Sequence, residues 1–329
     1  FKQKTAYEIS TRDWSSDVCS SDLQIILGPG EESAWLENIC RAGQEVLPVP
    51  VFDPRQKFLA ESLGRGRGGI IRGIKRLWRS RQVWAQIAKQ TEKTLRKKKI
   101  QVIHFPYQRF FPTKIPSLFE PWDLQHIHLP GNFKAEEINF RNWLYPSGCY
   151  QAKLIVTATF WTKADLIRAY ALPPEKIAVV YRGAPCFSPR QFNRLRQQNP
   201  ARTLLNLRAP YLIYPAKTWP HKNHLRLIQA LALLRRQGQM IPLVCTGTLL
   251  EGSREMLQEA LKSTGLESSV YLVDHLSDEE FLAFLAQARG MIFPSLFEGL
   301  GIPVLEAMAL GVPVACSRVA CLQIGRAHV

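Results

Sequence analysis

The stretch PSLFEGLGIPVLEAMALGVPVACS (294–317) decides the fold. It begins at the end of an apolar run at 290–295 that is typical of a strand, and it continues through a loop that contains Gly299 and Gly301. Pro303 then stands near the first position of a helix, where its missing N–H costs no hydrogen bond. A strand that enters a helix through a glycine loop points backbone N–H groups and the positive helix end at one place. The stretch therefore predicts an α/β unit with a site for a phosphate.

Two glutamates eight positions apart belong to the same stretch. Glu298 lies in the loop, and Glu306 lies in the first helical turns next to Leu305, Ala307 and Met308. A carboxylate among apolar neighbours needs a hydrogen-bonding partner, and a sugar hydroxyl can be that partner. Compensation of the helix dipole is the alternative for a single glutamate at this position.

Short β-branched runs alternate with helical patterns through the rest of the chain, which predicts parallel sheets in two doubly wound domains with a cleft between them. Ligands of such folds bind at the carboxyl ends of the strands. The residues 223–238 show apolar side chains at helical spacing. The predicted strands are 24–28, 99–106, 153–158, 176–181, 210–215, 242–247, 269–274, 290–295 and 312–317.

The two ends of the chain read as translated sequencing adapter. QIGRAHV forms the last seven residues, and KQKTAYEI and RDWSSDVCSSDL precede Gln24. We expect residues 1–23 and 323–329 to be artefacts that do not belong to the fold, with the true termini missing. The remaining chain is predicted to form an N-terminal domain at 24–183, a proline-rich linker at 184–209 and a C-terminal domain at 210–322.

Composition describes an ordinary globular protein with an excess of positive charge. The 329 residues are 46% hydrophobic and 21% charged, with a net charge of +16. No apolar run approaches the ~20 residues that span a bilayer. Seven cysteines without paired spacing give neither a zinc pattern nor a dense disulfide framework, so we expect a reducing, cytoplasmic setting.

Most of the charge excess lies in one basic stretch, residues 64–99, which holds thirteen Lys and Arg side chains and Glu92 as its one acidic residue. Three interpretations stay open: a helix that packs an apolar stripe and exposes its charges, an amphipathic helix on an anionic membrane, and nucleic-acid binding, which is the least favoured. GRGRGG (64–69) has the form G-x-G-x-x-G, but no strand precedes it, and we reject a dinucleotide site.

A second candidate site is YPAKTWPHKNH (214–224), which follows a predicted strand. Lys217 and Lys222 lie five apart across a turn that contains Pro220. Two such cations can neutralise a diphosphate leaving group, although solvated lysines after a strand are the structural alternative. The chain between the adapter segments has no Asp-x-Asp motif of the kind that holds Mg²⁺ on a diphosphate. We therefore expect no metal and no cofactor.

Together these segments resemble the C-terminal, nucleotide-sugar-binding domain of retaining glycosyltransferases of family 4, also called glycosyl transferases group 1, which have the GT-B fold. The resemblance rests on Glu298 and Glu306, which match the E-x7-E motif, and on the basic pair Lys217 and Lys222. The chain departs from the common pattern because it has Lys217 where the family has Arg, and Lys cannot supply the bidentate fork of Arg. It also has Asn223 where the family commonly has Gly.

The resemblance implies a role for each residue of the two motifs. The lysine pair grips the diphosphate, Glu306 the ribose, and Glu298 the hydroxyls of the donor sugar. The catalytic residues it implies on this side are Glu298, Lys217 and Lys222. The complete donor-binding set is Lys217, Lys222, Asn223, Gly299, Leu300, Gly301 and Glu306.

The N-terminal half resembles the family less specifically. EPWDLQHIHLPGNF (120–133) is similar to the family's Asp-x-x-His segment, which faces the acceptor and the donor sugar. It implies that Asp123 and His126 are the acceptor-side residues, with His126 also catalytic and His128 as the competing candidate.

We thus expect a retaining, metal-free hexosyltransferase that moves mannose or glucose from a nucleotide diphosphate sugar to a hydroxyl of a polysaccharide or lipid-linked saccharide. Its partners would be the nucleotide sugar, the saccharide acceptor and an anionic membrane surface reached through 64–99, without nucleic acid. It would be cytoplasmic and peripheral at the inner face of the membrane. The alternative is a non-catalytic protein that binds a nucleotide or an anionic surface through 64–99. A phosphorylase with pyridoxal phosphate lacks a suitable lysine.

Overall fold

The computed structural model of the chain describes the backbone of Ile25–Leu27 and Val46–Pro48 and the residues 86, 88–106, 108–183 and 187–322. Both predicted adapter segments lie outside the described residues. The described residues form two compact units. The first runs up to Trp122 and resumes at Ala135–Tyr181, and the second consists of Asp123–Lys134 and the residues from Arg182 onward.

The first unit contains a sheet of four parallel strands in the order β3-β4-β5-β6 and a separate parallel pair, β1-β2. Its sequence order equals its spatial order, so each strand of this sheet lies next to the one that precedes it in the chain. Thr159 caps the helix Phe160–Tyr170, because its side chain accepts from the N–H of Thr162. The strands are β1 Ile25–Leu27, β2 Val46–Pro48, β3 Ile103–Phe105, β4 Ser117–Phe119, β5 Leu154–Thr157 and β6 Ile177–Val179. Besides a helix at 88–97, the described part of this unit contains α2 Ala135–Gln151 and α3 Phe160–Tyr170.

The second unit contains five parallel strands in the order β11-β10-β7-β8-β9. The strands are β7 Leu212–Pro215, β8 Leu243–Thr246, β9 Val270–Val273, β10 Gly290–Phe293 and β11 Val314–Cys316. The chain begins in the middle at β7, lays down β8 and β9 on one side, and then returns to place β10 on the other. This is the strand order of a Rossmann-type domain, whose topological switch point lies between β7 and β10.

Helices connect these strands. In chain order the second unit has α1 Gln125–His128, α4 Pro189–Gln197, α5 Pro200–Leu205, α6 His224–Arg236, α7 Ser253–Thr264, α8 Asp278–Gln287 and α9 Ile302–Ala309. Among the described residues, no helix has both the length and the apolar character needed to cross a membrane.

The core of the second unit explains why its strands are so apolar in sequence. All four residues of β8 are buried, as expected for a parallel strand that is covered on both faces. Tyr214 of β7 and Phe293 of β10 are fully buried and meet edge-to-face with ring centroids 5.8 Å apart. Aromatic packing of this kind fixes the spacing of β7 and β10, the two strands that flank the switch point.

All nine predicted strands correspond to observed ones, with ends shifted by at most four residues, and the helix predicted at 223–238 is α6. Two strands were missed, β2 and β4. Each of these strands has only three residues, and a proline ends β2 and precedes β4. Segments this short do not show a period-2 pattern in the sequence.

The predicted linker, 184–209, contains two helices. Ser188 caps α4 through a capping box with Gln191, and the Asn199 side chain accepts from the N–H of Arg202 at the start of α5. Both helices begin with Pro at the first position, where proline favours a helix rather than breaking it. The role of 184–209 as the inter-domain linker stays a prediction.

The basic stretch lies within the described residues only at 86 and 88–99. A helix covers 88–97, with Ala88, Thr91 and Leu95 buried and the lysines of the segment exposed. The backbone N–H of Lys114 donates to Glu92 at 2.9 Å and lowers the pKa of that carboxyl. This part of the stretch therefore packs an apolar stripe and leaves a basic face in solvent, in line with the first of the three interpretations.

Candidate functional site

The two candidate segments meet at the switch point of the second unit. The loop 216–223 follows β7 and the loop 294–301 follows β10, and these two strands are hydrogen-bonded neighbours. Both loops leave the carboxyl ends of their strands, because the sheet is parallel. Ligands of doubly wound folds bind at this position. The sequence placed each segment after a strand, but only the strand order brings the segments together.

Lys222 and Glu298 are in direct contact. The Lys222 Nζ lies 2.5 Å from the Glu298 Oε1, and the two side chains are only 16% and 12% exposed. The same Nζ lies 5.3 Å from the centre of the Phe293 ring, within reach of a cation–π attraction. A cation and a carboxylate are thus held together, largely shielded from solvent, at the strand ends.

Main-chain and amide contacts join the same two loops. The Leu296 N–H donates to the His221 carbonyl at 2.7 Å, and the Asn223 Nδ2 donates to the Pro294 carbonyl at 3.2 Å. The Tyr214 hydroxyl donates to the Lys222 carbonyl. The backbone around Lys222 is therefore fixed by hydrogen bonds to Tyr214 of β7 and to the loop that follows β10.

A third loop, after β8, is attached to the β7 loop and was missed by the sequence reasoning. The Ala216 N–H donates to the Thr246 carbonyl at 2.8 Å, and the Leu250 N–H donates to the Thr218 Oγ1, also at 2.8 Å. Gly247 has φ +124°, and a Cβ at this position would come within 2.8 Å of the Ala216 backbone. The glycine that ends the predicted strand 242–247 was the available signal, because a glycine in a strand often marks a close backbone approach.

Lys217 is exposed in the loop between these contacts, immediately after Ala216. It is one of the two residues of the predicted basic pair, and its side chain is exposed to solvent in the loop that follows β7. Lys222, the other half, is mostly buried beside Glu298.

Two histidines flank Lys222 and both stay neutral. Burial, reinforced by the charge of Lys222, lowers the pKa of His221 and of His224 from 6.5 to about 4. His224 hydrogen-bonds the Ala216 backbone, and its ring lies 4.7 Å from the ring of Tyr214. The imidazoles on either side of Lys222 are thus uncharged at neutral pH.

The glycine loop enters α9 as predicted. Gly301 has φ +80° just before Ile302, and Pro303 occupies the first turn. Glu306 is half-buried on this helix, and burial together with the charge of Asp278 raises the pKa of its carboxyl. A desolvated carboxylate of this kind gains from a hydrogen-bond donor such as a sugar hydroxyl. Gly299 and Leu300 are half-buried in the loop before it.

The segment Asp123–Lys134 belongs to the same compact unit as these loops. His126 is buried, while His128 is exposed and stacks on Phe297 with ring centroids 5.1 Å apart. The Asp123 Oδ1 accepts from the Gln125 N–H at 3.0 Å. Of the two histidines considered from the sequence, His128 is therefore the one whose ring lies against the neighbour of Glu298.

The thiol of Cys321 is buried, and charged residues of the candidate site affect its pKa. Burial raises the pKa of its thiol to about 12, with further increases from the charges of Glu298 and Asp123 and a decrease from Lys222. The charges of Asp123, Lys222 and Glu298 thus all act on one buried thiol. Within the part of the chain that the structure describes, no group of three or more His, Cys, Asp or Glu side chains could hold a metal ion.

Comparison with known proteins agrees with this geometry. Residues 196–323 match the family model of glycosyl transferases group 1. This part of the chain thus resembles that group, and the fold class is the predicted one: α/β of the GT-B type, with Rossmann-like domains. The match covers α5 and the whole five-stranded sheet, including both loops at the switch point.

Individual relatives and a solved structure extend the match. The chain is 26% identical over 265 residues to the O-antigen chain mannosyltransferase B of Escherichia coli, covering 77% of this chain and 64% of that protein. It is 30% identical over 170 residues to the MMP alpha-(1->4)-mannosyltransferase of Mycolicibacterium hassiacum, covering 51% and 38%. The crystal structure of HepE from Anabaena in complex with UDP-glucose superposes with a TM-score of 0.59 at 18% identity, covering 91% of this chain and 82% of that one. The chain thus spans less than two thirds of the two curated relatives.

Proposed function

We propose that this protein transfers a hexose from a nucleotide diphosphate sugar to a hydroxyl of a polysaccharide or lipid-linked saccharide, with retention of configuration and without a metal ion. The observation that carries the proposal is the contact between Lys222 and Glu298 at the switch point of the second unit. It joins a cation suited to a diphosphate with a carboxylate suited to sugar hydroxyls, at the position where doubly wound folds bind ligands.

In the proposed mechanism, charge on the departing diphosphate is stabilised without metal. Lys217, Lys222 and the N-terminus of α9 provide positive charge and N–H donors at one end of the donor. One cation about 4 Å from a phosphate oxygen contributes about 4 kcal/mol at a surface-like dielectric. Such groups accelerate transfer because the negative charge on the leaving group grows in the transition state.

The carboxylates hold the uncharged parts of the donor. Glu298 accepts hydrogen bonds from hydroxyls of the donor sugar, and Glu306 accepts them from the ribose. The half-buried position of Glu306 and its raised pKa support this role, because its carboxylate gains from a new donor.

Retention follows from reaction on one face of the sugar, as the family resemblance implies. The bond between the anomeric carbon and the phosphate oxygen breaks, and the acceptor oxygen forms a bond to the same face. The departing phosphate oxygen takes the proton of the acceptor hydroxyl. On the acceptor side we propose Asp123 and His126, with His128 as the competing candidate that the stack on Phe297 favours.

The relatives narrow the substrates that we propose. Two are named mannosyltransferases, one of them for the O-antigen chain, and HepE binds UDP-glucose. We therefore propose mannose before glucose as the transferred sugar, and a bacterial surface polysaccharide or its lipid-linked precursor as the acceptor. We also propose that the protein is cytoplasmic and that its basic stretch 64–99 binds the inner face of the membrane. Nucleic acid is not among the partners that we propose.

The test uses the full chain with EDTA present. Calorimetry with GDP and with UDP measures donor binding, and transfer from GDP-mannose and from UDP-glucose to octyl α-mannoside is followed by NMR, which reads the anomeric configuration. We expect binding without metal, weakened about 10- to 100-fold by Lys222→Met, since a charge-assisted hydrogen bond contributes about 1.5–3 kcal/mol.

Glu298→Gln should abolish transfer while it leaves nucleotide binding within about threefold, because the amide keeps the size of the side chain but not its charge. Lys262→Met on α7, which removes an exposed lysine outside the switch point, is the matched control. Undiminished transfer by both site variants would refute the assignment. Salt-sensitive binding that survives both substitutions would instead favour the alternative, a non-catalytic protein that binds anions through 64–99.

A further inference from the structure

Asn223 has an unusual backbone conformation at the end of the β7 loop. Its φ is +63°, in the left-handed region that non-glycine residues seldom adopt and that asparagine tolerates best. Its N–H donates to the Pro220 carbonyl at 3.1 Å, and its own carbonyl accepts from the Leu227 N–H at 3.3 Å. The residue therefore ends the 3₁₀ turn of Pro220–Lys222 and starts α6 in a single step.

The side chain of Asn223 reaches the neighbouring loop. Its Nδ2 donates to the carbonyl of Pro294, the residue that directly follows β10, at 3.2 Å. Lys222, the preceding residue, reaches Glu298 in the same loop at 2.5 Å. Two consecutive residues of the β7 loop thus hold the β10 loop at two points, four residues apart.

We propose that Asn223 is a positioning residue and not a ligand of the donor, contrary to the role the resemblance implies. Its amide sets the distance between the β7 and β10 loops, so that the Lys222 ammonium and the Glu298 carboxylate face the same part of the substrate. The inference rests on the proposed function. Glycine at this position would adopt the same backbone conformation but would lack the amide that donates to Pro294. Aspartate would place a carboxylate against the carbonyl oxygen of Pro294, where it cannot donate a hydrogen bond. Both substitutions therefore remove the hydrogen bond between residue 223 and Pro294.

Asn206 is a matched control for the backbone effect. It also has a positive φ, +51°, but it ends α5 and belongs to neither loop. We expect Asn223→Gly to weaken the affinity of the full chain for GDP or UDP about fivefold in calorimetry, in line with the loss of one hydrogen bond. Asn223→Asp should weaken it further, while Asn206→Gly leaves it unchanged.

A double-mutant cycle separates positioning from direct binding. In the Lys222→Met background, Asn223→Gly should cause no further loss of affinity, because Asn223 acts through Lys222. Additive losses would make Asn223 a direct ligand and overturn the inference, as would full affinity in Asn223→Gly. Should Asn223→Gly lose its helical circular dichroism, Asn223→Ser takes its place in the same cycle. A wild-type chain that binds neither nucleotide would overturn the proposed function itself, a result distinct from the other two.

Discussion

Gly247→Ala tests how closely the β8 loop approaches the β7 loop. The added Cβ would lie 2.8 Å from the carbonyl carbon and from the oxygen of Ala216, and 3.1 Å from the N of Lys217. These are backbone atoms, so no side-chain rotation relieves the contact. The φ of +124° adds backbone strain of about 1–3 kcal/mol for a residue with a Cβ. Overpacking against rigid neighbours costs about 1–3 kcal/mol more, which predicts a total loss of about 2–6 kcal/mol.

Two other glycines in the same unit separate the two costs. Gly252 has φ +72° but open space around its Cβ position, so Gly252→Ala should lose only about 1 kcal/mol from backbone strain. Gly131 has open space and no positive φ, and Gly131→Ala should be neutral or slightly stabilising. The expected order of stability loss is therefore Gly247, then Gly252, then Gly131.

The assay is urea denaturation of the full chain followed by circular dichroism, together with calorimetric titration of GDP and UDP. Gly247→Ala should also weaken nucleotide affinity, because the displaced Ala216 carries Lys217 with it. Equal stability of Gly247→Ala and Gly252→Ala would refute the close approach of the two loops. A stability loss without any change in affinity would refute the link between this approach and the binding site.

Two further predictions concern stability. Ser277→Ala removes the capping box in which Ser277 and Glu280 satisfy each other's backbone N–H groups at the start of α8, and it should cost about 1 kcal/mol in thermal unfolding, whereas Ser277→Gly should cost less. The pKa of His224 falls from 6.5 unfolded to about 4 folded, so the unfolded chain takes up a proton first as the pH falls. The free energy of unfolding should therefore decrease from pH 6.5 to 4, by at most about 3 kcal/mol for this group. His224→Gln should make the urea midpoint less sensitive to pH in that range. The same pH dependence in His224→Gln and in the wild type would contradict this prediction.

The sequence predicts the fold well wherever the pattern is local. The inner strands β7, β8 and β10 are largely buried apolar runs, because both faces of a parallel sheet are covered there, and such runs are visible without a structure. The entry into α9 is equally local, since Gly301 and Pro303 mark it. The helices α4 and α5 were within reach too: Ser188 and Asn199 precede prolines, and a capping residue before proline indicates a helix start.

The site is predictable only in part, because its geometry depends on the order of the strands. Sequence reasoning chose Lys222 and Glu298 separately, and the pairing of β7 with β10 makes them neighbours. The same pairing gives Asn223 a partner in Pro294, which no sequence pattern indicates. The sequence favoured His126 over His128, but it could not show the stack of His128 on Phe297, because these residues are more than a hundred positions apart in the chain.

The return of the chain to place β10 beside β7 has a consequence for synthesis. The Lys222–Glu298 contact joins residues 76 positions apart, and β8 and β9 are made between them. At ribosomal rates of about 5–20 residues per second, Lys222 emerges roughly 4–15 s before its carboxylate partner. A nascent chain that has already paired three strands therefore still lacks the ion pair. Under the proposed function, nucleotide binding would appear only once β10 has docked beside β7. GDP or UDP would then be a probe for this late step of folding.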